Sequence, residues 1–234
     1  MPAYLTPAEQ WRLARPGSVS LSSWEPGNVS DVTKTGTGSA TMTASGYPMD
    51  AYEVRVRCFV AGEPGGAARV KVSLDAGLTY PGGLMAVPLN DGLGLPLQVA
   101  GEVGLTFTPG AAPSLSVGDT WAFSTTPSPE ILATIEAVSA DCDSYMRDVC
   151  ALPLTRWDMA IKRNVARRVR YALLVQRGRS EADTYEADDK AAVKWWESVA
   201  RGDLRPDVDE GPGGGRTFPQ VARARRPYAS DWRA

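Results

Sequence analysis

The stretch Ser128-Pro129-Glu130-Ile131-Leu132-Ala133-Thr134-Ile135-Glu136-Ala137-Val138 decides how the chain is read, because hydrophobic periodicity changes there from two to between three and four. Ser128 suits a helix N-cap and Pro129 the first turn. Ile131, Ile135, Val138, Cys142, Tyr145 and Val149 form one stripe, which predicts a helix of about five turns, ended by Leu152-Pro153. A second helix is predicted from Asp158 as cap, with Ile161, Val165, Val169, Ala172 and Leu173 inward and Gly178 as its left-handed C-terminal residue. A third, from about Glu181 to Ala200, buries Tyr185, Ala192, Trp196 and Val199 and closes at Gly202. Three helices with short connections make a bundle.

Upstream of Pro127 the pattern is that of strands. Tyr52-Glu53-Val54-Arg55-Val56-Arg57-Cys58-Phe59-Val60 alternates apolar with charged residues, as does Arg69 to Leu74, and Gly62 to Gly66 between them predicts a hairpin. Further strands are expected around Val19–Leu21, Ser39–Ala44, Leu84–Val87, Val103–Phe107 and Thr120–Ser124, with turns at Asp75-Ala76-Gly77, Asn90-Asp91-Gly92 and Gly118-Asp119. No helical pattern separates these strands, so a parallel α/β sheet is excluded and an antiparallel β-sandwich is expected. Before it, Thr6 as N-cap, Pro7 and Glu9 mark a short helix that Pro16-Gly17 ends.

The fold class expected is therefore α+β in four zones. Residues 1–16 are an N-terminal helix completing a three-to-four-helix core, 17–127 an inserted antiparallel β-sandwich, 128–205 the helical bundle, and 206–234 a flexible C-terminal arm rich in glycine around Gly213.

Composition narrows the chemistry. A chain of 234 residues with 43% hydrophobic and 22% charged residues is ordinary and globular, and a net charge of −2 gives no bulk attraction to nucleic acid or membrane. The complete lack of histidine removes Ser-His-Asp and Cys-His catalysis and most zinc sites. Cys58, Cys142 and Cys150 are an odd number without CxxC spacing, which fits a reduced cytosolic setting. No apolar run reaches the roughly 18 residues of a membrane span, and the first 15 residues lack the apolar centre of a secretion signal; a soluble product of the cytoplasm is expected. Neither a cofactor nor a metal site is expected.

The helical half resembles the head–tail adaptor, or head-completion, proteins of tailed bacteriophages and Mu-like prophages. The resemblance rests on an ordered set: Tyr4-Leu5-Thr6 at the first helix, Cys142-Asp143-Ser144-Tyr145, the Leu152-Pro153-Leu154 break, Arg168 through Leu173, and Val199-Ala200-Arg201-Gly202. It covers residues 1–15 and 129–208. Two departures stand out: Cys142 takes the place of an aliphatic residue, and the β-rich segment sits where the family has a short loop. Phrases such as Ser73-Leu74-Asp75-Ala76-Gly77 and Gly118-Asp119-Thr120-Trp121 are similar to β-sandwich modules of phage tail and baseplate proteins.

The resemblance implies a virion structural protein without enzymatic activity. It would be a connector in the neck, made in the host bacterial cytoplasm and assembled as an oligomeric ring of twelve copies. Its partners would be the portal protein, neighbouring copies of itself, and a stopper or tail-terminator protein, with DNA passing through the lumen without sequence-specific binding.

Candidate interface residues follow from charge. Among Lys162, Arg163, Arg167, Arg168 and Arg170, helical geometry puts Arg163, Arg167 and Arg170 on one face and Arg168 off it. Such a face is a solvated surface, a portal or subunit contact, or a stripe facing DNA. In the arm, Arg223, Arg225 and Arg226 precede Tyr228 and Trp232; this is a solvated end without function, an arm anchored by Tyr228 and Trp232 on a portal or an adjacent copy, or a non-specific nucleic-acid contact. Trp195-Trp196 reads as core packing. Asp141, Asp143, Asp188 and Asp189 read as solvated carboxylates, and Gly36-x-Gly38 as a turn. Two other function classes compete. One is a carbohydrate- or host-surface-binding sandwich using Trp24, Tyr47, Tyr52 and Tyr80 as platforms; the other is a hydrolase with paired carboxylates.

Overall fold

The computed structural model describes residues 3–14, 24–89, 97–99, 101–179 and 182–210. In chain order these form helix α1 (Pro7–Leu13), strands β1 (Asn28–Val29), β2 (Thr33–Thr35), β3 (Thr41–Pro48), β4 (Tyr52–Val60), β5 (Arg69–Ser73), β6 (Met85–Ala86), β7 (Leu97–Val99), β8 (Gly101–Thr108) and β9 (Thr120–Thr126), then α2 (Pro129–Met146), β10 (Leu154–Trp157), α3 (Met159–Gln176), α4 (Ala182–Ala200) and β11 (Val208–Glu210). The expected strand at Val19–Leu21, the turn at Asn90 and most of the arm lie outside the described residues.

Mixed α+β architecture is what the two patterns dictate. One sheet runs β1-β9-β4-β5-β6, with β2 also on β9; the other runs β3-β8-β7. The strand pairs are antiparallel. Alternation along β4 sends Val54, Val56 and Cys58 inward, where they meet Val70 and Val72 of β5 and Trp121 and Phe123 of β9. Val103, Leu105 and Phe107 of β8 face them from the smaller sheet, and Phe107 meets Trp121 edge-on at 5.3 Å. The predicted hairpin of β4 and β5 is present, and its register runs through Val56 opposite Val72. At the Asp75 turn, Ala76 and Gly77 both take the left-handed conformation (φ 58° and 87°), and the Asp75 carboxylate accepts from the Thr79 N–H at 2.9 Å.

The caps of α1 and α3 form as their residues predict, whereas Ser128 precedes α2 without a side-chain capping hydrogen bond. Thr6 and Glu9 close a capping box on α1, and the Asp158 carboxylate accepts from the Ile161 N–H at 2.9 Å. At the other end of α3, left-handed Gly178 lets the Arg179 N–H reach back to the Leu174 carbonyl at 3.1 Å. Ile161, Val165, Val169 and Leu173 are fully buried, as are Ala192, Trp196 and Val199 on α4.

Helix α2 differs from expectation in its rotation. Ile131, Ile135 and Cys142 are buried, but Val138 and Tyr145 are only partly so, and Val149 lies past the helix end. Thr134, Ser139, Asp143 and Met146 are buried instead. The cause is the N-terminal segment, which lays Tyr4 on that side. The Tyr4 N–H donates to Ser139 Oγ at 3.2 Å and its hydroxyl donates to Asp143. Tyr4 also packs edge-on against Trp157 at 5.1 Å, and Trp157 Nε1 donates to the Tyr4 carbonyl at 2.9 Å. Asp143 is thus a buried acceptor, and the reading of it as a solvated carboxylate is corrected.

Two further corrections concern the edges of the helical zone. Leu154–Trp157 is a strand, where the sequence suggested only a break, and Val208–Glu210 pairs with it antiparallel. The first residues assigned to the flexible arm are therefore fixed to the bundle. Arg156 reinforces the pair with ion pairs to Asp207 and Asp209. Trp24 is buried in the helical core, with the Arg177 guanidinium 5.2 Å from its ring centroid, so it offers no exposed platform.

Tyr4→Phe deletes the hydroxyl and leaves Asp143 without its donor. The expected cost is about 1–3 kcal/mol of unfolding free energy, read as a lower urea midpoint at unchanged slope. A midpoint equal to the parent protein would show that this bond contributes nothing.

Candidate interaction surface on helix α3

Helix α3 carries its basic residues around much of its circumference, and its neighbours use most of them. Lys162 reaches Glu9 of α1 at 2.5 Å. Arg168 pairs with Asp141 of α2 and more loosely, at 3.7 Å, with Asp189 of α4. Arg170 pairs with Asp188 at 2.6 Å while its guanidinium lies 3.9 Å from the Tyr185 ring centroid. Just past the helix, Arg177 grips Glu130 at the start of α2. Asp141, Asp188 and Asp189 are therefore inter-helix partners and not freely solvated groups.

Arg163 and Arg167 differ from these. Both are exposed, and among the described residues neither forms an ion pair. Met159, one turn before Arg163, is 48% exposed. Met159, Arg163 and Arg167 follow at i, i+4 and i+8, so an apolar side chain and two cations line one solvent-facing strip. Of the three arginines placed on one face by sequence, Arg170 is covered by α4, and only Arg163 and Arg167 remain open. Met159 was not singled out in the sequence; its signal was the four-residue spacing ahead of Arg163 at a helix start. Arg223, Arg225, Arg226, Tyr228 and Trp232 lie outside the described residues.

Electrostatics follow the pairing. Burial pushes the Glu9 carboxyl up, but the Lys162 hydrogen bond, the Thr6 N–H and the charges of Lys162 and Arg12 outweigh it, so Glu9 titrates below its ordinary value. Asp189 is held above the usual carboxylate range because burial outweighs the attraction of Arg168. Burial, then the hydrogen bond to Asp143, raises the Tyr4 phenol far above its usual range, which keeps it a donor. The three cysteines are buried thiols that form no disulfide, and burial pushes Cys142 up to about 12.

The other sequence candidates resolve as follows. Trp196 is fully buried, with Trp195 edge-on to it at 4.8 Å, in agreement with core packing. Gly38 lies against Asp119, whose carboxylate accepts from its N–H at 3.1 Å, so Gly36-x-Gly38 is a turn. Tyr47 packs on the helical core, Tyr52 on the sandwich core, and Tyr80 against Phe59. Among the described residues no cluster of three metal-ligating side chains occurs, and no helix is long and apolar enough to cross a membrane.

Residues 112–216 match the family model described as Bacteriophage Mu, Gp36. The matched segment takes in β9, α2, β10, α3, α4 and β11; it leaves out α1 and most of the sandwich, and spans less than half of the chain. This similarity supports a bacteriophage origin and a phage structural protein. No curated protein and no solved structure matches the chain.

The Glu9–Lys162 pair predicts a pH signature. A carboxylate with a lowered folded-state pKa stabilises fully above its unfolded value, near 4.5, and loses that contribution as pH falls through the folded value. Glu9→Gln keeps the capping geometry but not the charge. It should melt below the parent at pH 6, with the gap closing below pH 4; a gap independent of pH would contradict the pairing.

Proposed function

We propose that this protein is a head–tail adaptor of a bacteriophage virion. It assembles as a ring, of twelve copies, between the portal and the tail, and continues the DNA channel without catalysing a reaction. The observation that carries the reading is the strip of Met159, Arg163 and Arg167. On a helix whose other cations are used inside the protomer, this strip is left open, on the part of the chain similar to Bacteriophage Mu, Gp36. Closed rings need one surface on each subunit that fits a different surface on the next, and a rigid helix face supplies such a surface.

In this reading α2, α3 and α4 are the wedge, held rigid by the inter-helix ion pairs. The Met159 strip meets the portal or a neighbouring copy, where arginine forks find carboxylates and the methionine adapts to an apolar pocket. The arm beyond Glu210, with Arg223, Arg225, Arg226, Tyr228 and Trp232, docks on an adjacent subunit and adds aromatic anchors. The downstream partner is a stopper or tail-terminator protein, and the site of action is the neck of the virion. The sandwich projects outward from the ring or toward the tail. A carbohydrate-reading sandwich draws less support, because Trp24 is buried and Tyr47 is packed on the helical core.

The portal of the same phage provides the test. The parent protein is expected to co-purify with portal rings, and Arg163→Glu/Arg167→Glu to lose at least about tenfold in retained protein while melting within about 0.5 kcal/mol of the parent. Failure of the parent to bind portal rings would overturn the reading. Retention of the charge-reversed variant would remove the strip from the interface.

A further inference from the structure

Ion pairs such as Lys162–Glu9 and Arg170–Asp188 join the elements of the helical part of the protein. The sandwich carries its own charge on the outward face of its larger sheet. Alternation along β4 turns Glu53, Arg55, Arg57 and Phe59 outward, and the β4–β5 register sets Arg57 directly opposite Lys71 and Val60 opposite Arg69. Four cations thus share a neighbourhood with one strand carboxylate, on a chain whose net charge is −2. The nearby Asp75 carboxylate is already occupied by Ser73 and Thr79.

Two like charges opposed across antiparallel strands repel each other, so this arrangement costs stability unless something offsets it. Phe59 offsets part of it: the Arg57 guanidinium and the Lys71 ammonium each lie 5.4 Å from its ring centroid. Tyr80 supports the ring edge-on at 5.9 Å. The aromatic pair therefore holds the two cations in place on the surface, and its ring is not left open as a stacking platform. Along β4, Arg55 and Arg57 are roughly 7 Å apart at the usual strand rise. The result is a two-dimensional array of cations with one strand carboxylate among them, on the outward face of the sheet; the Arg69 guanidinium also donates from one nitrogen to the Gly66 and Ala68 carbonyls, at 2.8 and 2.9 Å.

We infer that this outward face of the sandwich is a sequence-independent docking surface for the phosphate backbone of duplex DNA, with Arg55, Arg57, Arg69 and Lys71 as its phosphate contacts. Duplex DNA is favoured over a single strand because the Phe59 ring is engaged by cations, which leaves phosphate contact as the source of affinity. Duplex DNA also presents about one charge per 1.7 Å of axis, the densest array of acceptors available to such a face. The inference stands apart from the ring reading, since a single subunit would show it.

The experiment measures binding of the full-length protein to a fluorescein-labelled mixed-sequence duplex, starting at about 50 mM salt. The parent should bind, with affinity falling steeply as salt rises. Arg57→Thr/Lys71→Thr should weaken binding at least about tenfold and flatten the logarithmic salt slope by about 2, while the charge-retaining Arg57→Lys/Lys71→Arg holds affinity. Arg163→Ser/Arg167→Ser should leave duplex binding unchanged. The inference is overturned if the parent does not bind the duplex, if the threonine variant folds and binds like the parent, or if the α3 variant removes binding. It is also overturned if a single strand or poly-glutamate binds more tightly at this face than the duplex does.

Discussion

Tyr4 sits in a buried slot between α2 and β10, its hydroxyl donating to Asp143, its N–H to Ser139, its carbonyl accepting from Trp157 and its ring against that indole. The rest of the fold depends on this contact, because the partners lie 135 to 153 positions further along the chain. A segment so near the N-terminus is thereby built into a bundle made near the other end, and the sandwich between them is tethered at both of its ends. Gln10 repeats the tie one helix later, donating to the Ala166 carbonyl at 2.9 Å while also capping its own helix at Ala14. At the boundary, Asp50 accepts from the Ala8 N–H at 3.2 Å, and Tyr47 and Met49 pack on the helical core. The sandwich is joined to the bundle by packing as well as by covalent linkage.

Charge is distributed in two ways in this chain. In the helical part, cations and carboxylates are paired across elements, so Lys162, Arg168, Arg170 and Arg177 hold α3 and its end to α1, α2 and α4. Such partly exposed pairs contribute little individually, but each is geometrically specific and fixes which helix face meets which. Two groups of cations stand in contrast to these pairs: exposed Arg163 and Arg167 beside Met159 on α3, and the cations around Phe59 on the sandwich. The net charge of −2 reflects neither feature.

Much of the fold was legible in the residues. The caps at Thr6 and Asp158, the left-handed glycine at 178, the helix close at Gly202 and the alternation along β4 each have a single local cause, and the structure agrees with each. What escaped has non-local causes. The rotation of α2 depends on Tyr4 arriving from a distant segment, so the sequence pattern leaves Asp143 on the solvated side and gives no sign that Ser139 and Thr134 are buried. β10 is a four-residue strand paired with a three-residue one some fifty positions away, and neither has a pattern long enough to announce itself. Trp24 follows a turn-rich stretch, and only the fold brings it to Arg177. For the candidate surface, helical spacing correctly grouped Arg163, Arg167 and Arg170, but it could not say that α4 covers the last of them.

The central claim, that this chain closes a ring at the junction of head and tail, is tested most directly by imaging virions that carry a bulky tag between Gly82 and Gly83, where added side-chain atoms would meet nothing within 4 Å. Averaged electron micrographs should show the extra density as a closed ring immediately below the head, repeated with the symmetry of the neck. Density on the capsid surface or at the tail tip, or normal particles lacking it altogether, would contradict the account.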